Sequence, residues 1–178
     1  FSGDDVRNAQ AINAHTPTGL VVIEQTHNHS GGVVWSLERI NDIHNATRDM
    51  NVHLHIDGSR IFNASVATGV LVHKYAACCD SMTICFSKGL GCPGGAMLLT
   101  NKAASENVPL LKARHGGRMR QSTGMLAAAA RFALKHNVER LAEDHVRAHT
   151  LAAELQKIPG VTVRREPETN IVHFHLKQ

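Results

Sequence analysis

The chain has 178 residues, of which 43% are hydrophobic and 19% charged, a composition that excludes a disordered or fibrous protein and suits one ordinary globular domain. Its formal net charge is +4, but the basic residues are spread along the chain and only five Phe, one Trp and one Tyr accompany them. A nucleic-acid-binding surface shows denser clustering or stacking aromatics. No apolar run approaches the roughly 20 residues of a membrane-spanning helix. We therefore expect no nucleic-acid partner and no membrane association.

The four cysteines indicate the redox compartment. Their spacing fits neither a zinc-binding pair nor a disulfide framework. We expect them to be reduced, mostly buried thiols of a cytoplasmic protein. They are Cys78, Cys79, Cys85 and Cys92.

The N-terminal half contains one predicted strand–helix–strand unit. Residues 20–24 (LVVIE) predict a buried strand, and residues 52–57 (VHLHID) predict the next one. Between them, residues 36–50 carry apolar side chains at helical spacing and begin with Ser36, a residue type that caps helices. This alternation is typical of an α/β domain with a largely parallel sheet.

Helices dominate the prediction for the C-terminal half. Short apolar runs bounded by turn-forming residues first predict strands at 81–86 and 95–100. High helix propensity then predicts two long helices, at about 118–136 and 138–157, with Asn137 at the break. After a Pro-Gly pair, the runs VTVRRE and TNIVHFHL predict strands of a smaller unit.

The stretch HLHIDGSR at 53–60 places an aspartate at the end of a predicted strand. Alternation puts His53, His55 and Asp57 on one face of that strand. In open α/β sheets, ligands bind beyond the carboxyl ends of the strands. A carboxylate buried there needs a cationic partner, and a pyridinium nitrogen would provide one. Taken alone, however, an Asp-Gly pair at a strand end is more often a simple turn.

A lysine follows the next predicted strand, in ICFSKGLGCPGGAMLL. Lys88 lies between an apolar strand and a tight Gly-Leu-Gly turn. A lysine desolvated in such a place has a lowered pKa, and its free amine can form a Schiff base. Taken alone, a lysine in this position is more often a surface loop residue.

Together these segments resemble the L-threonine aldolases, fold-type-I pyridoxal-phosphate enzymes of the β-eliminating lyase group, over about residues 20–172. Four ordered motifs with compatible spacing carry the resemblance, and together they are far more specific than any one of them. They are EQTHN at 24–28, HIDGSRIFNA at 55–64, DSMTICFSKGLGCPGGA at 80–96 and HGGRMRQSTGMLAAAA at 115–130.

The resemblance implies a fold and a division into domains. Residues 1–137 would form part of the large cofactor-binding domain, an α/β fold with a mostly parallel sheet flanked by helices. Residues 138–178 would form a linker helix and the start of a small α+β C-terminal domain. The family's N-terminal segment, which carries a phosphate-binding Gly-Thr and a histidine that stacks on the cofactor ring, has no counterpart here, so we interpret the chain as a fragment.

The resemblance also implies roles for four charged residues. Lys88 would carry pyridoxal 5'-phosphate as a Schiff base, and Asp57 would pair with its pyridine nitrogen. Arg60 would bind the substrate carboxylate, whose geometry a guanidinium fork matches. Arg120 would reach the cofactor phosphate of a neighbouring subunit, which predicts a homodimer or homotetramer with the active site at the interface. The alternative for Arg120 is a surface charge at a helix end.

Three further residues have supporting roles by the same resemblance. His27 would hydrogen-bond the β-hydroxyl group of the substrate or remove its proton. His55 would support Asp57, and Ser87 would touch the cofactor or its phosphate. Ser59 replaces the usual alanine of the family, a small-for-small exchange that we expect to affect substrate scope more than chemistry.

The implied reaction is cleavage of L-threonine, L-allo-threonine or another L-β-hydroxy-α-amino acid to glycine and an aldehyde. Asp57 and Lys88 would serve any fold-type-I enzyme, so β-elimination and transamination remain alternatives. A histidine-rich metal-binding protein is a second alternative, and a non-catalytic truncated product is a third. The metal alternative rests on His-x-His pairs at 27/29, 53/55 and 173/175.

Overall fold

The computed structural model describes residues 1–12, 16–117 and 123–177. The strands, in chain order, are β1 (Leu20–Glu24), β2 (His53–Asp57), β3 (Ser81–Cys85), β4 (Ala96–Thr100), β5 (Val161–Val163) and β6 (Phe174–Leu176). The helices are α1 (Gly3–Ile12), α2 (Leu37–Asp49), α3 (Ile61–Thr68), α4 (Val72–Ala76), α5 (Lys102–Ser105), α6 (Val108–Arg114), α7 (Thr123–His136) and α8 (Leu141–Gln156). None of these helices is long and apolar enough to cross a membrane.

The main sheet has the order β1-β2-β3-β4. Strands β1, β2 and β3 are parallel, because α2 and then α3 with α4 return the chain to the same edge before each new strand begins. Strand β4 runs antiparallel to β3, since the short connection at 86–95 contains no helix that could serve as a crossover. The largely parallel sheet predicted from the sequence is therefore confirmed.

One face of this sheet forms the core of the protein. Its apolar side chains pack with those of α2 and α4 in a single buried cluster. Each fully buried Ile or Leu contributes about 1.5–3 kcal/mol relative to an exposed one. The buried side chains of this face are Ile23, Leu54, Ile56, Met82 and Ile84. The opposite face, which bears His55 and Asp57, leaves Leu20, Val22 and Leu98 about half exposed.

Helix α2 begins and ends as its sequence predicts. The Ser36 hydroxyl oxygen accepts a hydrogen bond from the backbone N–H of Arg39 at 3.3 Å, which satisfies one of the free donors of the first turn. At the other end Asn51 adopts a left-handed backbone conformation with φ of 53°, which turns the chain into β2. The apolar residues Ile40 and Ile43 between these ends are fully buried.

The C-terminal part of the prediction is partly confirmed. The described part of the first long helix begins at Thr123, and the second helix is α8, which packs against α3 and β5. The predicted strands at 161–166 and 169–176 are too long, because β5 and β6 contain only three residues each. Between them, the buried Thr169 hydroxyl donates to the carbonyl oxygen of Gly32 at 2.8 Å, so this segment is held against another loop instead of in a sheet.

Candidate active site

Three parallel strands bring the candidate residues to the same end of the sheet, where the strands have their carboxyl ends. Glu24 is the last residue of β1, Asp57 is the last residue of β2, and Lys88 follows the end of β3 by three residues. Glu24 and Asp57 are direct partners in the register of β1 and β2, and Asp57 is the partner of Thr83 in β3. Carboxyl ends of parallel strands are where ligands bind in open α/β sheets. The edge therefore gathers two carboxylates and an amine.

The Asp57 carboxylate is held on one side only. Its Oδ1 atom accepts hydrogen bonds from the backbone N–H of Ser59 at 3.0 Å and from the Ser59 hydroxyl at 2.5 Å. In the described part of the chain Oδ2 has no hydrogen-bond partner. Glycine is required at position 58, between Asp57 and Ser59, because a Cβ atom there would lie 2.7 Å from the carbonyl oxygen of Thr83. The arrangement leaves one oriented oxygen for a cationic ligand group.

Glu24 joins the candidate histidine to the candidate arginine. Its Oε1 atom lies 3.4 Å from Nη1 of Arg60, and its Oε2 atom lies 3.9 Å from Nε2 of His27. The other ring nitrogen of His27, Nδ1, is 2.7 Å from the Ser30 hydroxyl. No role was predicted for Glu24 from the sequence, although its position at a strand end was the available signal. Arg60 is thus already paired in this structure, with its remaining guanidinium donors available to a carboxylate.

Gln25 fixes the loop that carries His27. This fully buried side chain donates to the carbonyl oxygen of Trp35 and accepts from its N–H, both at 3.0 Å. Its backbone N–H donates to the carbonyl oxygen of Asp57, and its carbonyl oxygen accepts from the N–H of Arg60. Gln25 therefore joins the end of β1 to the end of β2. These hydrogen bonds fix the positions of His27, Asp57 and Arg60 relative to one another.

The turn after β3 presents Lys88 to solvent. The carbonyl oxygen of Lys88 accepts from the N–H of Gly91 at 2.8 Å, which closes a tight turn in which Leu90 is buried. Ser87 and Lys88 are exposed, and the Ser87 hydroxyl is 3.3 Å from Sγ of Cys85. The expectation that this turn desolvates the lysine is therefore wrong: the turn buries its leucine and leaves the amine outside.

His55 shares a face with Asp57, as alternation predicted, but it binds elsewhere. Its Nδ1 lies 2.7 Å from the Ser81 hydroxyl and its Nε2 lies 3.4 Å from the Thr83 hydroxyl, both on β3. Burial lowers the pKa of His55, and the negative charge of Asp57 opposes this shift. His55 is therefore mainly neutral at neutral pH and braces β2 against β3 beside the aspartate.

The histidine pairs do not converge on a metal site. His53 is exposed and lies 3.8 Å from Asp80, at the opposite end of the strand from Asp57. Across residues 1–12, 16–117 and 123–177, no group of three or more His, Cys, Asp or Glu side chains could hold a metal ion. The metal-binding alternative has no support in this part of the chain.

A cavity of about 450 Å³ lies over the ends of β1 and β2. It is lined by Glu24, His27, Trp35 and Asp57 among others. Its size and its mixture of apolar and charged walls fit a small-molecule site. A larger cavity of about 570 Å³ lies at the opposite edge, where β3 begins and β4 ends, and none of the candidate residues lines it.

The donor set at this edge fits pyridoxal 5'-phosphate. The oriented Oδ2 of Asp57 matches the protonated ring nitrogen of the cofactor, and the exposed amine of Lys88 has no side-chain partner within the described ranges. Arg120, which the family resemblance assigns to the cofactor phosphate, lies outside the described residues, so its role stays a prediction.

Known proteins share this sequence over most of its length. The family model "Beta-eliminating lyase" matches residues 2–178. A low specificity L-threonine aldolase of Escherichia coli O157:H7 is 44% identical over 155 residues, which are 87% of this chain and 45% of that protein. Low-specificity L-threonine aldolase 1 of Arabidopsis thaliana is 37% identical over 173 residues, 97% of this chain and 48% of that protein.

A solved structure gives the fold independently. A Listeria monocytogenes protein assigned as an L-allo-threonine aldolase superposes with a TM-score of 0.86 at 24% identity, covering 99% of this chain and 48% of that one. The expected fold-type-I architecture is thereby confirmed. The chain spans about half the length of the curated relatives it matches. From the match over residues 2–178 and the four motifs it contains, this chain belongs to the beta-eliminating lyase family.

Proposed function

We propose that this chain is part of a pyridoxal-phosphate-dependent aldolase that cleaves L-threonine, L-allo-threonine or a related L-β-hydroxy-α-amino acid to glycine and an aldehyde. The observation that carries the proposal is the placement of Asp57 and Lys88 at the ends of adjacent parallel strands, with one oxygen of Asp57 left for a ligand. Two relatives, 37% and 44% identical, are low-specificity L-threonine aldolases, which supports this reaction over others of the fold.

Two residues would hold the reactive carbon and the ring nitrogen of the cofactor. Lys88 would bind it covalently through Nζ, and Asp57 would pair with its ring nitrogen through Oδ2. When bound, the cofactor withdraws electrons from the substrate Cα, which allows the Cα–Cβ bond to break. A charged Asp57 would keep the ring nitrogen protonated. We assign Ser87 and Arg120 to the phosphate end, and His55 to the support of the strand that bears Asp57.

Substrate binding and proton transfer would fall to the network around Glu24. Arg60 would bind the substrate carboxylate through the guanidinium donors that Glu24 leaves free. When Nδ1 of His27 donates to Ser30, Nε2 is the basic atom that can take the proton of the β-hydroxyl group. Oε2 of Glu24, 3.9 Å away, would then stabilise the resulting imidazolium.

The setting of the enzyme is part of the same proposal. We place it in the cytoplasm, because the four cysteines are free thiols. We propose a homodimer or homotetramer in which Arg120 completes a neighbouring active site. The substrate is a small amino acid, and neither a nucleic acid nor a membrane is a partner.

Product analysis of the complete protein tests the reaction. We expect L-threonine to give glycine and acetaldehyde in equal amounts, and a Lys88→Ala variant to give neither. Ammonia with a keto acid would instead indicate β-elimination, and an amino-group acceptor requirement would indicate transamination. Borohydride reduction followed by peptide mapping tests the cofactor site separately, since the label should appear on Lys88 alone.

A further inference from the structure

The turn that carries Lys88 is held from behind by the helices of the C-terminal half. On the proposal that Lys88 binds the cofactor, we infer that Asn137 is a positioning residue for this lysine. It acts through a side-chain hydrogen bond to the turn, and the packing of α8 supports it. Asn137 lies between α7 and α8, away from the cavity over β1 and β2.

The backbone of the turn is closed on itself. The N–H of Gly91 donates to the carbonyl oxygen of Lys88 at 2.8 Å, and the N–H of Cys92 donates to the carbonyl oxygen of Phe86 at 3.0 Å. These bonds occupy two of the carbonyl groups of the loop. The carbonyl oxygen of Leu90 accepts instead from Nδ2 of Asn137, at 2.8 Å. This amide is the side-chain donor that ties the lysine turn to the helical part of the described chain.

The first residue of helix α8 packs closely behind the turn. A Cβ atom built on Gly89 would lie 2.8 Å from Cδ2 of Leu141 and 3.6 Å from Oδ1 of Asn63. A side chain at position 89 would therefore have to displace either the terminal methyl group of Leu141 or the turn, although Gly89 does not adopt a left-handed conformation. Leu141 is the first residue of α8 and is almost fully buried, so the surface against which the turn packs is fixed.

A buried polar pair fixes α8 in turn. Nδ2 of Asn63 on α3 lies 3.1 Å from Nε2 of His145 on α8, and both side chains are buried. Because the amide nitrogen can only donate, Nε2 of His145 accepts and is unprotonated. Loss of one partner would leave a buried polar group unsatisfied, so the pair specifies one register of α8 against α3.

Among the described residues, the Lys88 side chain has no hydrogen-bond or ion-pair partner that could replace this support. Its side chain is exposed, and its position is set by the backbone of residues 87–92. A small displacement of a reacting amine has a large effect on rate, since misplacement by about 1 Å costs about 10²-fold. The hydrogen bond from Asn137 is thus placed to affect the reactivity of Lys88 more than the stability of the fold.

The test measures how fast the complete protein, given pyridoxal phosphate, can be trapped by borohydride at Lys88. We expect Asn137→Asp, which keeps the size but removes the donor, and Asn137→Ala to slow labelling about tenfold. KM for the amino acid should change less than kcat. Ala152→Gly, a buried change elsewhere on α8, is the control for lost stability, and it should label at the wild-type rate.

A second pair of variants keeps the test decisive if the asparagine variants do not fold. Gly89→Ala should slow labelling because the new methyl group displaces the turn from Leu141. Leu141→Val in the same chain removes the Cδ atom that it meets and should restore the rate. Equal labelling of wild type, Asn137 variants and Gly89→Ala would overturn the inference while leaving the function intact. Absence of label on Lys88 in the wild type would overturn the proposed function, and the inference with it.

Discussion

The two parts of the candidate site are held by different interactions. At the ends of β1 and β2, an ion pair joins Glu24 to Arg60, and the hydroxyl and backbone N–H of Ser59 donate hydrogen bonds to Asp57. At the end of β3, Lys88 is positioned by a closed backbone turn that packs against helices through Leu90 and Gly89. The first part is a polar network of charged side chains. The second is a backbone turn that packs against helices and leaves the amine of Lys88 exposed.

This difference follows from what each group must do. Carboxylates and guanidinium groups bind ligands through fixed charges, and partners such as Ser59 and Glu24 orient those charges at little entropic cost. An amine that forms a covalent bond must instead remain unpaired, so only its backbone can be restrained. Substitutions in the polar network should therefore alter binding and charge, whereas changes at the turn should alter the reactivity of one atom.

The largest expected effect comes from removing the side-chain nitrogen of Lys88. We expect Lys88→Ala to lower aldol cleavage by at least about 10³-fold, because no other described residue supplies the amine. Since the side chain is exposed, the free energy of unfolding should change by less than about 0.5 kcal/mol. The measurements are acetaldehyde release and chemical denaturation, with exposed Lys74→Ala as the control. Full activity in the Lys88 variant would exclude it as the cofactor residue.

Neutralising Asp57 should have the next largest effect. Asp57→Asn keeps the shape and the acceptor for Ser59 but removes the charge that would hold a proton on the ring nitrogen. We expect kcat to fall about 10²-fold, with the polar network otherwise intact. Steady-state kinetics at saturating cofactor measures this. An unchanged kcat would show that the charge of Asp57 is not needed for the reaction.

Arg60 tests binding in the polar network. Arg60→Lys retains the charge but loses the planar fork, and we expect KM for the amino acid to rise about tenfold with a smaller change in kcat. Arg48→Lys, an exposed change on α2, is the matched control. A lower kcat at constant KM would instead assign Arg60 to the transition state and not to substrate binding.

Much of the fold could be predicted from local patterns. The strands at 20–24 and 52–57, the helix capped by Ser36 and the break at Asn137 all follow from period, capping and propensity. Helix α3 was missed, because its residues are apolar on nearly every side and show little helical amphipathicity. A sequence pattern predicts a helix when one face is apolar and the other polar. A segment that is apolar on nearly every side gives no such pattern.

The sequence names candidate residues for the site, but it does not give their partners. The motifs select Asp57 and Lys88 as candidates, yet the pairing of Arg60 with Glu24 depends on the register of β1 against β2. The contact of Asn137 with the lysine turn joins residues 47 positions apart in the chain. Such pairs depend on tertiary packing, which no local pattern encodes. The exposure of Lys88 was missed for the same reason.

Acid should lower the stability of the protein through histidines in both parts of the candidate site. Burial lowers the pKa of His55 beside the polar network and of His145 behind the turn, and it also lowers that of His44. The unfolded state therefore binds more protons below about pH 6.5, so stability is full above this pH and is lost as the pH falls through the lower folded-state values.

The measurement is the free energy of unfolding by denaturant between pH 7.5 and 5. Each histidine contributes a slope of at most about 1.4 kcal/mol per pH unit. His145→Gln keeps an acceptor for Asn63 without a titrating group, so it should flatten the profile, whereas exposed His29→Gln should not. An identical slope in the His145 variant would mean that the pair with Asn63 does not couple protonation to folding.

The smallest expected effect tests how tightly the polar network must be oriented. Ser59→Ala removes the hydroxyl donor to Oδ1 of Asp57 but leaves the backbone N–H donor in place. One hydrogen bond to a carboxylate that keeps a second donor is worth about 1 kcal/mol, so we expect kcat to fall by no more than about fivefold. Ser59→Thr retains the donor and should retain the rate. If both variants match the wild type, the backbone bond alone orients Asp57, and the polar network would resemble the lysine turn in resting on the main chain.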